Sequence, residues 1–217
     1  MKLLPSILDL LYPARCAFCH SFMKRQELRL CAECRKKLPF TKGGGAQHGD
    51  FFSLCVSPLC YQDDVRASIH RYKFGGCPGY ARTYGALCAA CVRENVTQDF
   101  DLISWVPLSR KRLRERGYDQ AKLLAEAIAV DLDAKAVSTL EKVRDAAKQS
   151  QTGSAEKRRA NISGAYRAKE PDAFCGKTVL LVDDVVTTGA TLSECARTLR
   201  AAGAKDVLCV TLARSKD

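Results

Sequence analysis

Long apolar runs are missing from this 217-residue chain. A helix that crosses a bilayer needs about 18 to 20 consecutive apolar residues, and no segment comes near that, so no membrane insertion is expected. An export signal is missing as well. The opening residues MKLLPSILDLLYP are apolar, but Pro5 and Asp9 interrupt them and no small-residue cleavage site comes before Cys16. They read as a short amphipathic helix of a cytoplasmic protein. Internal repeats and low-complexity tracts are absent. Together with 47% hydrophobic and 27% charged residues, that excludes the fibrous and intrinsically disordered classes. Aromatic residues are scarce, at 7%, and do not interleave with the basic runs, so a stacking platform for single-stranded nucleic acid is not evident.

Cysteine and positive charge are abundant instead. The chain has 12 cysteines, and 35 Lys and Arg stand against 24 Asp and Glu, a net charge of +11. Residues 110–169 hold fifteen basic against eight acidic residues, so most of the excess sits mid-chain, in RKRLRERG (110–117) and EKRR (156–159). A basic run is ordinarily a solvated face. These two lie in predicted loops with Gly and Ser nearby, where flexible cations suit a polyanionic ligand.

The cysteines divide in two. Cys16-x2-Cys19 and Cys31-x2-Cys34 are tight pairs with eleven residues between them. Two residues between cysteines let one knuckle aim both sulfurs at one ion, and two knuckles close a tetrahedral zinc site. A closed site has no open position for water, so the expected role is structural, as befits a module of about 40 residues with too small a core of its own. The alternatives are four unligated thiols or a redox pair. Cys55, Cys60, Cys77, Cys88, Cys91, Cys175, Cys195 and Cys209 are scattered through apolar stretches and read as small core residues. Cys88-x2-Cys91, inside a helical pattern, is read the same way.

Residues 1–40 therefore form one unit, a short helix plus the zinc module. TKGGGAQHGD (41–50) reads as a Gly-rich linker, and residues 51–217 as the main domain. There, strand and helix patterns alternate. FFSLCV, DLISWVP, KTVLLVDD and VLCVTLA read as strands. DDVRASIHRYKF, GYARTYGALCAACVREN, YDQAKLLAEAIAVDL and TLSECARTLRAAGA read as helices. Such alternation predicts an α/β fold with a mainly parallel sheet flanked by helices.

VLLVDDVVTTGAT (179–191) carries the most chemistry. An apolar strand ends in Asp183-Asp184. The loop of Thr187, Thr188, Gly189, Ala190 and Thr191 follows, where a helix starts. Small residues expose backbone N–H groups, the threonines add hydroxyls, and the helix N-terminus adds positive potential, which together make a phosphate cradle. Two carboxylates beside it suit vicinal hydroxyls or a divalent cation. A ribose 5-phosphate satisfies both halves, at the carboxyl end of a parallel strand, where ligands bind in such sheets. The alternative is an ordinary strand–turn–helix with an acidic turn. It is not a P-loop, because no Gly-Lys-Ser/Thr follows.

This stretch resembles the 5-phosphoribosyl 1-pyrophosphate (PRPP) motif of type I phosphoribosyltransferases. The resemblance implies Asp183 and Asp184 as catalytic carboxylates, residues 187–191 as the 5-phosphate site, and Mg²⁺ bound with PRPP. It also implies pyrophosphate binding by Ser109 and Arg110, which follow the strand ending in Trp105-Val106-Pro107, with help from Arg116 and Gln120. The segment 148–166 resembles the mobile loop that closes over PRPP, with Gln151, Arg158 and Asn161 as its polar contacts.

Taken in order along the chain, several features resemble the competence protein F family. They are the four-cysteine module, Lys73-Phe74, Arg116-Gly117-Tyr118-Asp119-Gln120-Ala121, the loop with Gln151, Arg158 and Asn161, and the PRPP motif. Tyr118 and Asp119 depart from the family's usual Phe and Asn, and Asp119 adds a negative charge beside the polyanion site. The resemblance implies natural transformation and import of single-stranded DNA, with the zinc module in the place of the hood that selects the acceptor. With no P-loop in the sequence, an ATP-driven step implies a partner such as a competence helicase. Three functions follow as expectations: phosphoribosyl transfer to an unassigned acceptor, a non-catalytic module that binds single-stranded DNA or a helicase, and a purine or pyrimidine salvage phosphoribosyltransferase of nucleoside metabolism.

Overall fold

The computed structural model describes residues 14–23, 28–144 and 162–215. The expected helix at the N-terminus, the EKRR run, and Gln151, Arg158 and Asn161 lie outside them.

The strands are β1 (Leu54–Val56), β2 (Leu59–Cys60), β3 (Leu102–Trp105), β4 (Leu140–Lys142), β5 (Tyr166–Ala168), β6 (Thr178–Val186) and β7 (Asp206–Arg214). The helices are α1 (Ala32–Lys37), α2 (Asp63–Phe74), α3 (Ala81–Asn95), α4 (Arg110–Arg116), α5 (Gln120–Leu132) and α6 (Ala190–Ala201). The main sheet runs β1-β7-β6-β3, with β2 also on β7, and every pairing in it is parallel. β4 and β5 form a separate antiparallel hairpin.

The continuous apolar reading of β6 and β7 follows from burial on both faces. On one face Leu180, Val182, Leu208 and Val210 pack with Ile69, Tyr72, Tyr84, Leu124 and Ile128 of α2, α3 and α5. On the other, Val179, Leu181 and Cys209 pack with Phe52, Phe174, Leu192, Cys195 and Leu199. The small module shares the first core through Phe18, Leu30 and Leu38. β1 and β2 meet β7 in one register on either side of Ser57-Pro58. Pro58 has no N–H to donate, and an edge is where a strand tolerates that.

Four readings change. The Gly-rich stretch 41–50 does not stand off as a loose connection. It makes a 3-10 turn at Lys42–Gly45 and packs on the sheet edge, with Ser57 N–H donating to Gly44 O at 2.7 Å and Thr41 N–H to Pro58 O at 2.9 Å. Gly44 is required there, since a Cβ would lie 2.6 Å from the Asn95 side chain. RKRLRERG is not a loop but α4: Ser109 caps its start, strong helix formers fill it, and Gly117 ends it in the left-handed region at φ 80°. β6 runs past the acidic pair to Val186, which shortens the following loop. Among the scattered cysteines, Cys55, Cys88, Cys91, Cys195 and Cys209 are buried, but Cys60 and Cys77 are only half-buried and Cys175 is exposed.

Candidate functional site

The four sulfurs of Cys16, Cys19, Cys31 and Cys34 lie within 4.8 Å of one another. Cys19 and Cys31 Sγ are 3.7 Å apart; zinc–sulfur bonds of about 2.3 Å in a tetrahedron would set them about 3.8 Å apart. Each pair has its own local frame. In the first turn His20 N–H donates to Cys16 O at 3.0 Å, and His20 takes a left-handed φ of 63°. In the second, Cys31 caps α1 by accepting from Cys34 N–H at 3.3 Å. The thiols differ in pKa: burial would raise that of Cys19, yet its bonds with Ser21 bring it down to about 6, while burial pushes that of Cys34 well up. The residues fit a structural Zn²⁺, which would draw all four into the thiolate form. Among the described residues no other group of three or more His, Cys, Asp or Glu side chains gathers this way.

In the main domain β6 delivers the acidic pair. Asp184 is only 5% exposed. Lys73 Nζ pairs with its Oδ1 at 2.6 Å, and Gln120 Nε2 donates to its Oδ2 at 3.0 Å. Burial would depress the Lys73 ammonium, but the Asp184 carboxylate holds it above its ordinary value. Asp183 is half-buried, and its Oδ1 accepts the Asp184 N–H at 2.8 Å. Burial, and then the neighbouring Asp184, raise the Asp183 carboxyl above the usual range.

Residues 72–74 and 116–120 interlock around Asp184. Tyr72 Oη donates to Gln120 O at 2.8 Å, Tyr118 Oη donates to Tyr72 O, and the Arg116 guanidinium lies 4.9 Å from the Phe74 ring centre. Two polar atoms in this interlock, Arg116 Nη1 and Gln120 Oε1, are buried with no hydrogen-bond partner among the described residues. Asp119 plays no part in holding Asp184. It caps α5 instead, its Oδ1 accepting from Ala121 and Lys122 N–H at 3.1 Å and its Oδ2 from Leu108 N–H at 3.2 Å. Burial raises its pKa despite those three bonds.

Beyond Val186, Thr187 and Thr188 are exposed, Gly189 sits at φ 72°, and α6 begins at Ala190 with no side-chain cap. Ser193 N–H donates to Gly189 O at 2.8 Å. The earlier N–H groups of a helix have no partner within it, so those of residues 190–192 are presented at the loop together with Thr191. Ser109 is buried, and its Oγ accepts Arg112 N–H at 3.3 Å, while Arg110 is exposed. Both line a cavity of about 400 Å³ with Lys111, Glu141, Lys142, Arg144 and Arg167. Ser109 and Arg110 therefore meet the β4–β5 hairpin, Gln120 meets Asp184, and Arg116 meets the Phe74 ring.

Lys73 is the residue that motif reasoning left without a role. Its signal is in the helix pattern: it lies four residues after the buried Ile69 and next to the buried Tyr72, a cation where an amphipathic helix begins to face inward.

The chain is similar to known proteins in both parts. Residues 117–217 match the phosphoribosyl transferase domain model and residues 7–45 the double zinc ribbon domain model. It is 30% identical to "Competence protein F" of Haemophilus influenzae, over 93% of this chain and 97% of that one. It is 28% identical to "Competence protein ComFC" of Streptococcus pneumoniae, over 90% and 80%. It is 33% identical to "DNA utilization protein YhgH" of Salmonella typhimurium, over 87% of each.

Proposed function

The chain belongs to the competence protein F family, and from that premise we propose that it binds PRPP or a related phosphorylated ribose in the service of DNA uptake. One observation carries the reading: at the end of β6 an acidic pair is followed directly by a loop with Gly189 in the left-handed region and an uncapped 12-residue helix. The N–H groups of residues 190–192 with Thr187, Thr188 and Thr191 would take the 5-phosphate. Asp183 and Asp184 would serve the ribose, and the basic cavity at Ser109 and Arg110 would take the pyrophosphate. Asp183 and Asp184 are the carboxylates that could hold a Mg²⁺ bound with PRPP, which would supply positive charge for the leaving group.

In transfer, the bond between C1 and pyrophosphate oxygen breaks, the electron pair leaves with pyrophosphate, and an acceptor's lone pair forms the new bond to C1. Carboxylates below the sugar would stabilise the positive charge that develops there. The test is calorimetric titration of PRPP with Mg²⁺ into the zinc-loaded protein. The parent should bind and the Asp183→Asn, Asp184→Asn double variant should not. Absence of binding by a folded parent would reject the reading.

The cavity supports a second reading. Five basic residues, Arg110, Lys111, Lys142, Arg144 and Arg167, stand there against Glu141 alone, as a DNA backbone would require. Single-stranded DNA binding should then weaken with salt, and the slope should shrink when Arg110, Lys111 and Arg144 are neutralised. Absent or salt-independent binding would reject this version.

A further inference from the structure

The two carboxylates at the end of β6 are not equivalent. Asp184 points into the protein, with Lys73 on one oxygen at 2.6 Å and Gln120 on the other at 3.0 Å. Asp183 is less buried, and its Oδ1 takes the backbone N–H of Asp184 at 2.8 Å. The β6–β7 ladder sets the Asp184 amide that orients Asp183, while Lys73 and Gln120 set where the Asp184 carboxylate lies.

Lys73 is itself held from the far side. α2 carries Ser68 and Arg71, and both donate to carbonyls of the first cysteine turn. Ser68 Oγ bonds Ala17 O, and Arg71 Nη2 bonds Phe18 O and, at 3.2 Å, Ala17 O. Ala17 and Phe18 are the two residues between Cys16 and Cys19. The Phe18 ring packs 5.7 Å from Tyr84, and His20 Nδ1 shares a hydrogen bond of 2.9 Å with Tyr80 Oη. Two residues after Arg71, the same helix presents Lys73 to Asp184. A helix of 12 residues thus grips the zinc turn with one set of side chains and the acidic pair with another.

We propose that Lys73 is a positioning residue for the sugar: it retains Asp184 inside the protein so that Asp183 is the carboxylate that meets the ribose hydroxyls, and the turn at Cys16–Cys19 sets its place through α2. This role rests on the phosphoribosyl reading above. Lys73 does not touch the 5-phosphate cradle at residues 187–191. Its loss should therefore separate recognition of the sugar from recognition of phosphate.

The experiment titrates ribose 5-phosphate and, separately, inorganic phosphate into the zinc-loaded full chain and into Lys73→Met, Lys73→Arg and Arg71→Met. Lys73→Met should weaken ribose 5-phosphate at least about tenfold and move phosphate less than about twofold. Lys73→Arg should recover most of the loss. Arg71→Met, still holding its zinc, should weaken ribose 5-phosphate by about threefold and leave phosphate unchanged. Equal binding by parent and folded Lys73→Met overturns the role, as does an equal loss of both ligands. Should Lys73→Met fail to fold, the Arg71→Met titration decides by the same criterion. A parent that takes phosphate but not the sugar phosphate overturns the role and spares the cradle; a parent that takes neither overturns the phosphoribosyl reading itself.

Discussion

The zinc turns and the end of β6 each gather four or five polar side chains, but from different distances along the chain. The zinc ligands all lie within residues 16–34, and each pair is held by its own turn. The acidic site draws on residue 73, residues 116–120, residues 183–184 and the loop beyond, brought together by α2, α4, α5, α6 and the sheet. A local site needs its ligand and little else. A long-range site needs the whole core to be correct first. Their failures should differ accordingly, and that difference can be pressed experimentally.

The largest effect should come from the metal. Structural zinc contributes about 10–16 kcal/mol in small modules, so chelation or Cys16→Ser should strip amide protection from residues 16–38. Hydrogen exchange should show β6 and β7 still protected, because their contacts lie in the sheet. Full protection of 16–38 without zinc would remove the contrast. Next, Lys73→Met leaves Asp184 buried and unpaired, which costs about 3–5 kcal/mol. Denaturant unfolding should register it, and the double change Lys73→Met, Asp184→Leu should return most of it. A single-variant cost under about 1 kcal/mol would mean the pair is open to solvent.

Gly189→Ala should cost about 1–2 kcal/mol, because φ 72° is left-handed, and should also weaken phosphate at the loop. A variant of full stability would show that the loop relaxes. Asp183→Asn tests the electrostatics. Burial and Asp184 raise the folded pKa of Asp183 above its unfolded value. Its contribution is then fully present below the ordinary carboxylate range and is lost as pH rises through the folded value. The melting temperature of Asp183→Asn relative to the parent should therefore climb from pH 5 to pH 8; a flat difference would refute the shift. The smallest effect belongs to Ser109→Ala, about 1 kcal/mol for a lost cap, read as reduced helicity or a lowered unfolding midpoint.

The same contrast governs what the sequence made legible. The cysteine spacing and the apolar run that becomes β6 are short-range patterns, and each is legible because one turn or one strand decides it. The α/β alternation is legible for the same reason. RKRLRERG is helical rather than a loop because Ser109 and Gly117 bracket seven good helix formers, a capping signal that its charge does not override. The Gly-rich stretch 41–50 failed because three glycines there serve close packing and left-handed turns rather than freedom. Lys73 with Asp184 is a pairing 111 positions apart in sequence, and no local pattern encodes its partner. The inward position of Lys73 on α2 was readable, but what it faced was not. Asp119, read from the sequence as an added charge beside the polyanion site, does what a cap requires, accepting backbone N–H groups.

The edges of the sheet restrict how another protein can attach. Phe40 and Gln47 bridge to Leu59 and Cys55 along one side, and Ala136 bridges to Ile103 along the other. The Gly-rich stretch 41–50 is thus a border strip, and the break at Pro58 falls beneath it. Along the main sheet these bridges occupy part of both outer strands, which leaves a partner's extended peptide less bare edge to join there. Attachment at these two borders would then fall to side chains, which can be altered one at a time without disturbing the sheet.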